Sequence, residues 1–131
     1  MRLRSLCLAL LLLSPAAAAA QQPAGDPAAG QRLTQQCRVC HTFEQGGPNR
    51  VGPNLFGVWE RPAGSIANFR YSPTMRERAA AGLVWNEETL RNYIRDPKAV
   101  IPNGFMSFPG IRNNEQQITD ILAYLRTNRP Q

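Results

Sequence analysis

The apolar positions of this chain fall into short clusters, and wherever their spacing is regular it is helical. Ile118, Ile121, Leu122 and Leu125 recur at intervals of three and four, which puts them on one face of a C-terminal helix capped by Asn114. Leu90, Tyr93 and Ile94 repeat the pattern between a cap at Asn86 and a stop at Asp96. Pro97 enforces that stop, because it disfavours helical geometry in the residue before it. Ser72-Pro73 opens another helix, which Gly82 closes, and Asp26-Pro27 opens a first one reaching about Cys37 with Leu33 on the same face. Gly46, Gly47, Pro48, Gly52, Pro53, Gly57, Pro62 and Gly64 punctuate residues 42–70, and residues 97–111 carry Pro102, Gly104, Pro109 and Gly110. Both stretches read as loop. The expectation is an all-α domain of about four helices and long loops. Its apolar faces are thin, so loops of this length need a bound group to wrap around.

The N-terminus follows a different logic. Arg2 and Arg4 precede an apolar run from Leu6 to Leu13, and Ala18-Ala19-Ala20 offers small residues for cleavage before Gln21. Residues 1–20 therefore read as a signal peptide and residues 21–131 as the exported domain. The run is too short for a comfortable membrane span and Pro15 interrupts it, so no stable membrane insertion is expected after cleavage. Cys7 lies inside the run and leaves with it. Export points to the periplasm of a bacterium.

Composition narrows the chemistry. Hydrophobic residues make up 43% and charged residues 18%, which excludes a globally disordered chain. Fifteen Lys+Arg against nine Asp+Glu give a net charge of +6, yet Lys98 is the one lysine and no dense basic run interleaves with aromatics. Nucleic-acid binding is not expected. One His and three Cys exclude a multi-histidine metal centre and a disulfide framework.

What remains is concentrated in Cys37-Arg38-Val39-Cys40-His41, which holds the one His and both cysteines outside the signal. C-x-x-C-H is a haem c attachment pattern. On a helical turn the residues at i, i+3 and i+4 share a face, so both sulfurs and the imidazole meet one planar ligand. The thiols add across the haem vinyl groups as thioethers, and the imidazole comes to lie beside the iron. A thioredoxin-like pair would want a preceding strand, zinc a second ligand pair, and a Cys37–Cys40 disulfide is the plain structural alternative. An iron held by one His needs a sixth ligand or an open site. Met75 and Met106 are the candidates. Met75 lies among charges on a helix, whereas Met106 lies in a Pro- and Gly-rich loop that can turn a thioether inward.

The order of landmarks resembles class I cytochromes c of the mitochondrial and bacterial soluble type. It runs through Cys37-Arg-Val-Cys-His41-Thr42, Gly52-Pro-Asn-Leu-Phe-Gly57, Arg61, Tyr71, Trp85, Leu90, Tyr93, Pro97, Ile101-Pro102, Met106, Phe108-Pro-Gly110 and Asp120 to Leu125. The resemblance implies a small cytochrome c fold around one haem c, bound covalently by two thioethers from Cys37 and Cys40, with His41 and Met106 as axial ligands. It further implies that the Pro53 carbonyl orients the imidazole, that Tyr71 and Trp85 hydrogen-bond a propionate with Arg61 nearby, that Tyr93 packs beside the Met ligand, and that Phe108 covers the haem edge. An apolar shell of Leu55, Leu90, Tyr93, Phe105, Phe108 and Leu122 would keep water out. The implied function is a periplasmic single-electron carrier, not an enzyme, docking redox protein donors and acceptors at the exposed haem edge. A haem subunit dedicated to one periplasmic oxidoreductase, and an open-site haem enzyme, are the alternatives. Three departures stand out: Met75 occupies a position where the family often has a propionate-side asparagine, Gly104 and Phe105 replace the usual Thr-Lys, and the lysine ring is reduced to Lys98 with Arg50 and Arg112.

Overall fold

A computed structural model describes residues 24–131, so the signal segment lies outside the described residues. Five α-helices follow in order: α1 Pro27–Leu33, α2 Pro73–Ala80, α3 Glu87–Arg95, α4 Pro97–Val100 and α5 Glu115–Thr127. Among the described residues there is no strand, only an isolated bridge between Pro62 and Val84. The architecture is all-α, as the apolar spacing predicts.

The predicted caps hold. Asp26, Ser72, Asn86 and Asn114 each accept a hydrogen bond from a backbone N–H of the first turn of their helix, and Gly82 ends α2 at a φ of 89°. Two boundaries differ from expectation. The first helix stops at Leu33 and tightens into a 3₁₀ turn over Thr34–Gln36. Thr34 explains it, because its buried hydroxyl donates to the Gln31 carbonyl at 2.8 Å and competes with the helical ladder. The segment after Asp96 is not all loop. Pro97 both ends α3 and starts the single turn of α4, since its fixed φ suits a first helical position.

α1 and α5 cross at contact distance. A β-carbon on Gly30 would lie 2.0 Å from the Asp120 carbonyl oxygen, so only glycine lets the two backbones approach this closely. Asp120, itself buried, accepts from the Asp26 N–H at 2.9 Å and from Gln116 at 2.8 Å, which ties the start of α1 to α5. Phe43, Ile118, Ile121, Leu122 and Leu125 form the buried centre with Val58, Trp85 and Leu90. On the outside Arg95 and Glu115 pair at 2.7 Å and Arg126 and Glu87 at 2.6 Å, fastening α3 to α5. Such exposed pairs contribute modestly, on the order of 0.5 kcal/mol each.

The long loop after the C-x-x-C-H motif is shaped by side chains instead of a sheet. Thr42 donates to the Pro48 carbonyl at 2.8 Å, and the Asn54 amide reaches the Thr42 hydroxyl at 2.7 Å and the Glu44 carbonyl at 3.0 Å. Asn128, just past α5, donates to the Phe43 carbonyl at 3.0 Å and accepts from the Gly57 N–H at 2.9 Å. The loop is thereby folded back over the helices and walls one side of a cavity. No described helix is long and apolar enough to cross a membrane.

Candidate haem site

Helical turns carry the motif into place. The Cys40 and His41 N–H groups both donate to the Cys37 carbonyl, at 3.0 and 2.9 Å, so Cys37, Cys40 and His41 share one face of a single turn. They line a cavity of about 240 Å³ whose walls are mostly apolar. Neither sulfur is in a disulfide. Burial, reinforced by Cys40 next to it, pushes the Cys37 thiol up to about 11. It therefore stays protonated at neutral pH. Thiol–disulfide exchange needs the thiolate, so burial of Cys37 disfavours that rival reading.

His41 is fixed by its own loop. Its Nδ1 lies 2.7 Å from the Pro53 carbonyl oxygen, which can only accept, so Nδ1 carries the proton and Nε2 is left with a free lone pair. Burial is the main cause lowering its pKa, and Arg61 lowers it further against the opposing bond to Pro53. The imidazole is thus neutral at pH 7, the form that ligates a metal. Gly52 makes the arrangement possible. Its N–H donates to the Cys40 carbonyl at 2.8 Å, and a β-carbon there would come within 2.2 Å of the imidazole Cε1.

The cavity gathers every candidate site residue: Cys37, Cys40, His41, Pro53, Arg61, Tyr71, Trp85, Tyr93, Met106 and Phe108 all line it, and so does Met75. Trp85 and Tyr93 stack with ring centroids 4.8 Å apart, and burial pushes the Tyr93 phenol up to about 12. Two of these residues also bond within the protein. Arg61 directs two guanidinium N–H groups to main-chain carbonyls, Asn54 at 3.1 Å and Phe56 at 3.3 Å, and so braces the wall beside Pro53. The Tyr71 hydroxyl accepts from the Ile66 N–H at 3.2 Å, which leaves its own proton for another acceptor.

The apolar shell needs correcting at Leu122, while Phe105 borders the cavity from an exposed position. Phe105 is 60% exposed, with the Arg70 guanidinium over its ring at 5.8 Å. Exposure alternates along this segment: Met106 and Phe108 are half-buried and Phe105 and Ser107 exposed, and all four border the cavity. Leu122 belongs to the core, whereas Ile121 and Leu125 of the same helix line the cavity. Sequence reasoning also missed Val58, Phe69 and Ile111. Phe69 had a signal in its spacing of two from Tyr71, with which it makes an edge contact at 4.8 Å. Of the cations near the rim, Lys98 donates to the Gly104 carbonyl, Arg50 to the Arg38 carbonyl, and Arg112 pairs with Asp96 at 3.1 Å.

The donor set fits a haem: two thiols outside any disulfide, a neutral imidazole with a free Nε2 and a thioether face one apolar space. Comparison with known proteins agrees. The family model described as Cytochrome c matches residues 27–129. The chain is 41% identical over 124 residues to the cytochrome c2 of Blastochloris viridis, covering 95% of this chain and 93% of that protein. Among solved structures, cytochrome c2 from Rhodospirillum centenum superposes with a TM-score of 0.75 at 32% identity, covering 81% of this chain and all of that one. Cytochrome cH from Methylobacterium extorquens gives a TM-score of 0.70 at 38% identity, covering 79% and 99%. With its motif turn, its cavity and its relatives in agreement, this chain belongs to the cytochrome c family of haem-binding electron-transport proteins.

Proposed function

We propose that the chain is an exported single-electron carrier holding one haem c through thioethers from Cys37 and Cys40, with His41 and Met106 as axial ligands. The observation that carries this reading is the locked imidazole: its Nδ1–H is committed to Pro53 and its Nε2 is free, in a cavity that both thiols and Met106 also line. Bound there, haem iron exchanges one electron between its ferric and ferrous states, and a Met sulfur as second ligand raises its potential relative to two nitrogens. The chain's own part is to hold geometry. Pro53 fixes the ring and raises its basicity. Leu90, Ile94, Ile121 and Leu125 exclude water from one wall, and an interior kept apolar disfavours the more highly charged oxidised site. Tyr71, with its hydroxyl proton still to place, Trp85 and Arg61 are the groups proposed to face a propionate.

A carrier fits this cavity better than an enzyme. None of the described lining residues is a carboxylate, and the one imidazole is spent on ligation, so no acid–base group is left to assist a bound substrate. Redox protein partners are proposed to dock at the exposed edge, where Val51 and Phe105 stand out into solvent. The test is an intact mass and a visible spectrum of the secreted protein with and without dithionite. The expected outcome is a mass above that of the polypeptide by one haem and a Met–iron charge-transfer band in the oxidised form, lost in Met106→Ala. A colourless protein with the mass of its amino acids refutes the reading.

A further inference from the structure

The segment carrying Met106 is suspended in an unusual way. Among the described residues, no backbone hydrogen bond holds residues 105–110; the nearest are Gly104 N–H to Ile101 O at 3.0 Å on one side and Ile111 N–H to Ile94 O at 2.9 Å on the other. The first anchor is built on the single turn of α4. Pro97 and Ile101 are buried, Asn103 takes a φ of 59° to reverse the chain, and a β-carbon on Gly104 would press to 2.9 Å of the Ile101 side chain. The Gly104 carbonyl then points outward, away from any backbone donor. Its partner is the ammonium of Lys98, six residues back and itself exposed to solvent. Fourteen of the fifteen basic residues are arginine, and the single lysine sits at this carbonyl.

We propose that Lys98 is a positioning residue for Met106: its ammonium latches the Gly104 carbonyl and so holds the unsupported segment with the thioether turned into the cavity. The proposal rests on Met106 being the sixth ligand. The latch acts through the fraction of molecules in which the thioether leaves its place. Losing a hydrogen bond of this kind raises that fraction by about threefold to tenfold. Because the latch is at the surface, releasing it leaves the buried anchors Pro97 and Ile101 in place, so the effect is local and does not extend to the fold.

An added ligand that competes for the sixth position reports that fraction directly, since its apparent affinity scales with the population of the competent state. The experiment is a titration of the oxidised holoprotein with imidazole, read by loss of the Met–iron charge-transfer band, in Lys98→Met, Lys98→Arg and Arg112→Met. Lys98→Met keeps the stem and removes the donor; it is expected to bind imidazole about three to ten times more tightly. Lys98→Arg, which keeps a charged donor, is expected to recover most of the difference. Arg112→Met removes a cation beside the same segment that does not touch Gly104, and is expected to match the parent. Far-UV melting should be the same for all four proteins, which separates the latch from a general loss of stability. Equal affinity in Lys98→Met and the parent overturns the proposal, as does an equal rise in Lys98→Met and Arg112→Met, which would mean a bulk charge effect. Met106→Ala, which lacks the band and is titrated by its Soret shift instead, serves as the reference: if it fails to raise imidazole affinity, the assignment of the sixth ligand falls, and the latch with it.

Discussion

Gly52→Ala is the sharpest perturbation this site allows, because it adds one methyl group where the imidazole already is. The new β-carbon would stand 2.2 Å from His41 Cε1 and 2.6 Å from Nδ1, whereas ordinary contact begins near 3.4 Å. Relief requires a displacement of about 1 Å, by the ring or by the backbone, in a packed interior that resists it. Moving the ring stretches the 2.7 Å bond to Pro53; moving the backbone strains the Gly52 N–H to Cys40 carbonyl bond at 2.8 Å. Overpacking costs about 1–3 kcal/mol and a lost hydrogen bond about 1 kcal/mol, so the substitution should destabilise the protein by roughly 3 kcal/mol. For a chain of this size that is a fall in Tm of roughly 10–20 °C. Gly46→Ala is the matched control: Gly46 has a φ of 70° but nothing within 4 Å of a β-carbon, so only the left-handed backbone penalty of about 1 kcal/mol applies. Thermal unfolding of the two holoproteins, with the reduction potential measured alongside, makes the comparison. Should Gly52→Ala melt no lower than Gly46→Ala with an unchanged potential, the claim that Gly52 fixes the imidazole is wrong.

Other consequences can be measured separately. The buried Tyr93 phenol ionises near 12 in the folded protein and near 10 in the unfolded chain, so its contribution is intact below pH 10 and is lost as pH rises toward 12. Denaturant titrations at pH 9 and pH 11.5 should show Tyr93→Phe losing on the order of 2 kcal/mol less than the parent over that interval; equal losses would refute it. Asp120→Ala leaves the Asp26 N–H and the Gln116 amide without their acceptor, and should cost about 1–3 kcal/mol with hydrogen exchange speeding first in α1. Arg61→Met keeps the apolar stem but drops both bonds to the Asn54 and Phe56 carbonyls. It should lower stability by about 1–3 kcal/mol and broaden the His41 resonances, and an unchanged melt would remove Arg61 from the brace.

The features legible in sequence were those whose cause is local. Four helix starts could be read because Asp26, Ser72, Asn86 and Asn114 cap within three residues of themselves, and Ile118 to Leu125 because their spacing is uninterrupted. The haem face was legible for the same reason, since one turn of backbone carries two sulfurs and an imidazole. What stayed hidden depends on distant partners. Thr34 ends α1 early through its own back-bond, yet it is also buried beneath the rest of the fold, which no local rule announces. Phe105 borders the cavity yet stands exposed, and a loop reading assigns no exposure pattern to a loop. Arg61 was expected near a propionate from resemblance; its bonds to Asn54 and Phe56 follow from how residues 54–61 fold back on themselves.

The scarcity of primary amines has a practical side. Guanidinium groups do not react with acylating reagents under mild conditions, so among the side chains of residues 24–131 only Lys98 is open to that chemistry. A tether attached there would orient the molecule on an electrode or bead with the Met106 segment toward the support. It would also neutralise the ammonium, so an immobilised sample and a freely diffusing one would differ in how firmly the Met106 segment is held.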